Sequence, residues 1–176
     1  ANSHWRNNLM LGENSAPAIF SVNTNTNYSS SDYNGFRPNP GAAFSFQWNS
    51  PPASKLSDYS GLLIARPRGG FAANPTLETR RFKTLTEYSA ATGQDRHSME
   101  VDYDVFVNVI QLNAKDLKKV QTIYKAEDFD FRLRPGSVPI DRGIVLPNIT
   151  DEFSGQAPDL GALELGQPVP HYGPRP

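Results

Sequence analysis

The sequence predicts an all-β chain with one short helix, built as a sandwich, a barrel or a β-solenoid. Three observations carry that expectation. Short apolar runs of strand length recur through the first fifty residues, and corners rich in Asn, Ser, Thr and Gly separate them. Gly and Pro together make up roughly a sixth of the 176 residues, above the usual share of about an eighth. Only one stretch carries a complete set of helix signals. The length suits one domain, or one domain with an extended tail.

In residues 1–50, Trp5–Leu11 and Ala18–Val22 are brief strand-like runs. Ala43–Trp48 alternates apolar and polar residues, as a half-buried strand does. Between these runs lie Gly12–Ser15 and Asn23–Asp32; Asn and Ser favour turns because their side chains hydrogen-bond the local backbone. Residues 51–81 read as a loop-rich insertion with one apolar centre, Leu62–Ala65, made locally basic by Arg66, Arg68, Arg80 and Arg81.

The helix falls within residues 82–128. Thr84 caps it, Glu87 completes a capping box, and Leu85, Tyr88 and Ala91 follow at spacings of three before Gly93 ends it. A strand is expected at Val105–Ile110. Asn113–Lys125 reads as a helical turn or a strand pair, with Lys115, Lys118 and Lys119 on a solvated face. Residues 129–166 are short segments and turns, among them the alternating Phe129–Leu133 and a turn at Arg134–Ser137. Residues 167–176 hold four Pro and read as an extended tail.

Composition removes several classes of function. A formal net charge of −1 gives no field pointing to nucleic acid or an anionic membrane. No apolar run approaches the roughly 18 residues of a membrane span. The lack of Cys excludes a disulfide framework, a thiolate zinc site and a cysteine nucleophile, and leaves the compartment open. His-Glu-x-x-His, the phosphate-binding Gly-Lys-Ser/Thr loop and Gly-x-Ser-x-Gly are absent, and His4, His97 and His171 do not stand at metal-ligand spacing. The chain opens Ala1-Asn2-Ser3-His4-Trp5, without an initiator Met or an apolar leader. Strand-like sequence begins at once, so the expectation is a piece of a longer polypeptide; a removed leader is the alternative.

The end of the chain carries a resemblance. Asp130-Phe131-Arg132-Leu133-Arg134-Pro135-Gly136-Ser137, then Ile140-Asp141-Arg142-Gly143, then Ala157-Pro158-Asp159-Leu160-Gly161-Ala162-Leu163-Glu164 resemble the closing segment of bacterial right-handed parallel β-helix repeat proteins of the pectate-lyase-like superfamily. Ser31-Asp32-Tyr33-Asn34-Gly35-Phe36 is similar to a coil end of that family. Phe82–Glu87, with Gly93-Gln94-Asp95, His97-Ser98 and Asp102, is similar to its short helix and following strand. The pieces touch most of residues 29–166 and keep the family's order.

The resemblance implies a right-handed parallel β-helix, with coils in 1–50, a loop-rich insertion in 51–81, and a helix and strands packed on the solenoid in 82–128. Residues 129–166 would close it, and 167–176 would trail as a tail. It further implies part of a secreted or cell-surface protein, extracellular or periplasmic, that binds or degrades polysaccharide with its main catalytic groups upstream. If it is an enzyme, a polysaccharide lyase or a glycoside hydrolase is expected. The rival is a structural or adhesive segment that caps a solenoid and assembles with a partner. In either case the upstream portion of the precursor, or another chain, is expected to cover the first coil.

Candidate site residues form three groups. Arg96 and His97, beside Tyr88, offer a base and an anion-binding cation; the alternative is a polar loop after a helix. Tyr33, Arg37 and Trp48 offer the aromatic and polar groups that contact sugar rings, or else a packed corner. Asp141, Asp159 and Glu164 accept backbone N–H groups at tight turns, or alternatively bind calcium, the one cofactor considered. Gly143 and Gly161 are expected where a side chain would block a close approach. Asn27-Tyr28-Ser29 and Asn148-Ile149-Thr150 match the glycosylation sequon, a pattern frequent by chance.

Overall fold

A computed structural model describes residues 3–13, 18–23, 28–49, 79–111 and 115–169. The expected insertion lies outside them except for residues 79–81, as does the tail beyond residue 169. Ten short strands and two helices are present among the described residues. The strands are β1 (His4–Trp5), β2 (Leu9–Leu11), β3 (Phe20–Asn23), β4 (Ser30–Ser31), β5 (Gly35–Arg37), β6 (Phe46–Asn49), β7 (Arg81–Phe82), β8 (Met99–Glu100), β9 (Phe106–Asn108) and β10 (Asp130–Leu133). The helices are α1 (Leu85–Thr92) and α2 (Leu117–Val120).

The first six strands form two levels. β1 pairs with β4, β2 with β5 and β3 with β6, all parallel. His4 lies beside Ser30, Leu9 beside Gly35 and Phe20 beside Phe46, the same offset of 26 residues each time. Trp5–Leu11 is therefore not one strand. Asn7 breaks it, at a φ of 57° that Asn tolerates better than most residues.

The expected all-β right-handed parallel β-helix is overturned at the next level. β8 adds to β5 in parallel, but β7 runs antiparallel to β6 and α1 follows it directly. β9 and β10 form a separate antiparallel ribbon. Among the described residues the result is a mixed fold of four sheets of two or three strands, with no continuous solenoid sheet. The physical reason lies in local sequence. The capping box of α1 stabilises a helix where a further parallel strand would be needed: Thr84 Oγ1 accepts from Glu87 N–H (3.2 Å) and Glu87 Oε2 accepts from Thr84 N–H (3.3 Å). Gly93, at φ 72°, ends the helix and donates its N–H to Ser89 O.

Two apolar clusters hold the fold. The larger joins Phe20, Val22, Phe36, Phe46, Trp48, Leu85 and Tyr88, with Trp5, Met10, Ile19 and Phe82 packed against it. Its centre is aromatic: Phe46 and Tyr88 stack at 5.0 Å, and Phe36 meets Phe46 edge-on at 5.2 Å. Each such side chain contributes about 1.5–3 kcal/mol by leaving water. The alternation read in Ala43–Trp48 serves this cluster, since Phe46 and Trp48 point inward from β6. The smaller cluster joins Val101, Val105, Phe106 and Leu133 beside Leu9, Leu11 and Ile140.

After β10 the chain runs to residue 169 in turns alone. Its attachment to the first level is polar. Asn7 Oδ1 accepts from Ile144 N–H and Nδ2 donates to Ile144 O, both at 2.8 Å, and Asn7 O accepts from Gly161 N–H at 2.7 Å. Glycine is required there. A Cβ on Gly143 would meet Pro158 O at 2.7 Å, and Gly161 sits at φ 106° against Leu9.

Candidate functional site

The corner at Asp32–Asn34 lies over the turn at Asp95–Ser98, and this juxtaposition builds the most developed exposed arrangement of polar groups. Asp95 N–H donates to Ser31 O, Met99 N–H donates to Asn34 O, and Ser98 Oγ accepts from Asn34 N–H. These bonds bring His97 directly beneath Tyr33. Their rings stack at 4.8 Å and 16°, a separation matching the spacing of adjacent strands. Tyr33 holds a φ of 56°, which costs roughly 1–2 kcal/mol for a residue of this kind. Asp32 Oδ1 stabilises that turn by accepting from Tyr33 N–H at 3.0 Å.

Asp32 also fixes His97. Its Oδ1 accepts from the His97 backbone N–H and its Oδ2 meets His97 Nδ1, both at 2.8 Å. Burial works against the charge on Asp32, but the ring and backbone of His97 and the backbone of Tyr33 together hold its pKa below the ordinary aspartate value. An ionised Asp32 can only accept, so Nδ1 carries the proton and Nε2 is left to serve a ligand. The His97 side chain is 60% exposed and Asp32 22%, so ligand access is open. Arg96 is exposed beside them. At the β1–β4 pair, His4 Nδ1 and Arg6 both bond Ser30 Oγ at 2.8 Å. Among the described residues the hydrogen bonds of His97 go to Asp32.

The network continues inward from this corner. Asn34 Nδ2 donates to Asp95 Oδ1 (3.1 Å), which also accepts from Ser98 Oγ (2.6 Å). Asn8 Nδ2 donates to Asn34 Oδ1 at 2.9 Å. Tyr88 Oη and Asp95 Oδ2 are buried without a close hydrogen-bond partner. Burial first, and the Asp95 charge second, push the Tyr88 pKa far above its usual value.

The other sequence candidates are placed elsewhere. Tyr88 and Trp48 belong to the aromatic core and present no face to a ligand. Arg37 ties levels together: its Nε donates to Asp102 and its Nη1 to Gly12 O, both at 2.6 Å, and it lies over the Tyr103 ring. Asp141, Asp159 and Glu164 anchor turns. Asp141 Oδ1 accepts from Gln156 and Ala157 N–H, Asp159 Oδ1 from Asp141 N–H, Asp159 Oδ2 from Leu165 N–H, and Glu164 Oε1 from Asp159 N–H. Glu164 Oε2 is buried and unpaired; burial first, and the nearby negative charges, raise its pKa. Among the described residues no group of three or more His, Asp or Glu could hold a metal ion.

Asp32 is the residue whose role sequence reasoning missed. It sits in the quoted corner motif, but its bond to His97 spans 65 residues and no local pattern announces it. No family model, no curated protein and no solved structure matches this chain. No helix among the described residues is long and apolar enough to cross a membrane.

Proposed function

We propose that this chain is a polysaccharide-binding part of a secreted or cell-surface protein, and that the Tyr33–His97 corner is where the sugar docks. One observation carries the reading: an aromatic stack of exposed His97 on half-buried Tyr33, set beside polar groups, Asp32 Oδ2 and His97 Nε2. Ring faces bind the apolar faces of sugars, and oriented acceptors and donors bind their hydroxyls.

The test is titration of the chain with soluble oligosaccharides, neutral and uronic, followed by calorimetry. Tyr33→Ala should weaken binding about tenfold, the value of roughly one aromatic contact. His97→Gln should weaken it as well. Binding unchanged in both variants, or no binding to any oligosaccharide, would sink the reading.

A second reading, a structural segment that assembles with another chain, rests on a different observation. β1, β2 and β3 each pair on one side only among the described residues. Strand edges of this kind invite further pairing. The covering chain would be an upstream part of the same precursor or a separate polypeptide. Light scattering decides it: a monodisperse monomer across a wide concentration range would remove this reading.

A further inference from the structure

The net charge of −1 conceals an uneven distribution. Four of the six lysines lie within residues 115–125, against one acid, Asp116. That acid is engaged: its Oδ1 accepts from Lys119 N–H and caps α2. Lys118 and Lys119 form no ion pair among the described residues. Large apolar side chains stand exposed in the same stretch: Ile123 at 94%, Leu117 at 65% and Val120 at 48%. Phe131 joins them at 54%.

A row of aromatic rings ties this stretch to the core. Tyr124 meets Phe129 at 5.4 Å, Phe129 stacks on Phe131 at 5.8 Å, and Phe131 meets Phe106 edge-on at 5.8 Å. Phe106 belongs to the smaller buried cluster, so a continuous row of rings leads from the core to the exposed stretch. Tyr124 Oη fastens the end of the row by donating to Lys119 O at 2.9 Å. Beyond Lys125 the cationic excess ends: Glu127 and Asp128 keep their negative charges, Asp128 Oδ2 accepting from Lys125 N–H, and Asp130 pairs with Arg132.

We propose that residues 115–125, four Lys against one Asp, dock on an anionic lipid bilayer, independently of the Tyr33–His97 corner. Exposed apolar groups interspersed with cations match a surface that is negative outside and hydrocarbon beneath. A protein partner fits less well. Protein interfaces are depleted of Lys and enriched in Arg, whereas residues 115–125 carry four Lys and no Arg. Lysine suits the bilayer because its stem lies along apolar groups while its ammonium reaches the phosphates. Ile123, Leu117 and Val120 would enter the headgroup boundary, with Tyr124 at its polar edge.

The experiment is sedimentation of the full chain with phosphatidylcholine vesicles, with or without phosphatidylserine. Binding is expected only with phosphatidylserine, and raising the salt should weaken it. The double variant Lys118→Gln/Lys119→Gln should lose about thirtyfold in affinity, and Ile123→Ser about tenfold. Both changes are on exposed side chains and should leave the circular dichroism spectrum as it was. Three results would overturn the proposal: no binding to either vesicle, equal binding of both variants and the parent chain, or equal capture by soluble polyglutamate, which would point to an acidic protein.

Discussion

β3 and β6 bring Phe20 beside Phe46 and Val22 beside Trp48, so in residues 3–49 each level of the chain covers the apolar face of the next. Residues 134–165 contain no strand, and the side chains that organise them are Asn7, Asp141, Asp159 and Glu164, each bonded to backbone groups. The first region is held chiefly by area removed from water, whereas the second adds to buried Leu160, Pro139 and Pro158 a set of side chains that satisfy backbone N–H groups in turns. The two should fail differently. Loss of an aromatic ring is felt by the whole core, whereas loss of an anchor frees a segment while the levels persist.

The largest expected effect is in the levels. Phe46→Ala removes the ring that stacks on Tyr88 and meets Phe36, and should cost about 3–5 kcal/mol in denaturant unfolding. A loss below about 1 kcal/mol would mean that the aromatic cluster is not what holds the levels. Next comes the C-terminal segment. Asp159→Ala leaves the N–H groups of Asp141 and Leu165 without their acceptors, at a cost of about 1–3 kcal/mol. Amide exchange should quicken in residues 139–165 and hold steady in β3 and β6. Uniform quickening throughout would erase the distinction between the two regions.

The same contrast explains what could be read from the sequence. Thr84, Glu87 and Gly93 act on backbone groups within four residues, so the ends of α1 were legible. Alternation over Ala43–Trp48 located β6, though it could not say that Trp48 would be spent in the core rather than offered to a ligand. Long-range facts were hidden. Nothing local in Arg81–Phe82 distinguishes an antiparallel from a parallel partner, and that one pairing helps separate this mixed fold from the expected β-helix. The site was half legible. Tyr33 and His97 were each selected from their neighbours, but as members of different groups. They meet only because an offset of about one strand spacing stacks one corner on the other.

A smaller effect is expected at that meeting point. Asp32→Asn should cost under about 1 kcal/mol, because the His97 partner is well exposed. Its signature is in the pH dependence. The folded pKa of Asp32 is depressed, so its contribution is present above the ordinary aspartate value and is lost as pH falls through the depressed one. The parent chain should therefore lose stability over that acid interval, and Asp32→Asn should lose less there. Identical acid profiles would show that Asp32 does not hold the corner.

The smallest effect, and the one of opposite sign, belongs to Glu164 in the C-terminal segment. Its Oε1 does useful work by accepting from Asp159 N–H, but its Oε2 is buried without a partner. Burial and the Asp159 charge raise its pKa above the ordinary glutamate value. A raised carboxyl pKa means that the folded chain binds the proton more tightly than the unfolded chain. Ionisation thus penalises folding, progressively as pH rises from the unfolded value through the raised one, and fully at neutral pH. Glu164→Gln keeps an oxygen for Asp159 N–H and removes the charge. It should leave the chain as stable as before, or more stable by a few tenths of a kcal/mol at neutral pH, since the side chain is only partly buried. The advantage should vanish below the ordinary glutamate pKa, where the parent side chain is already neutral in both states. Paired melting curves at neutral and acid pH measure the difference. A variant less stable than the parent at neutral pH, with no difference at acid pH, would mean that the carboxylate charge supports the turn.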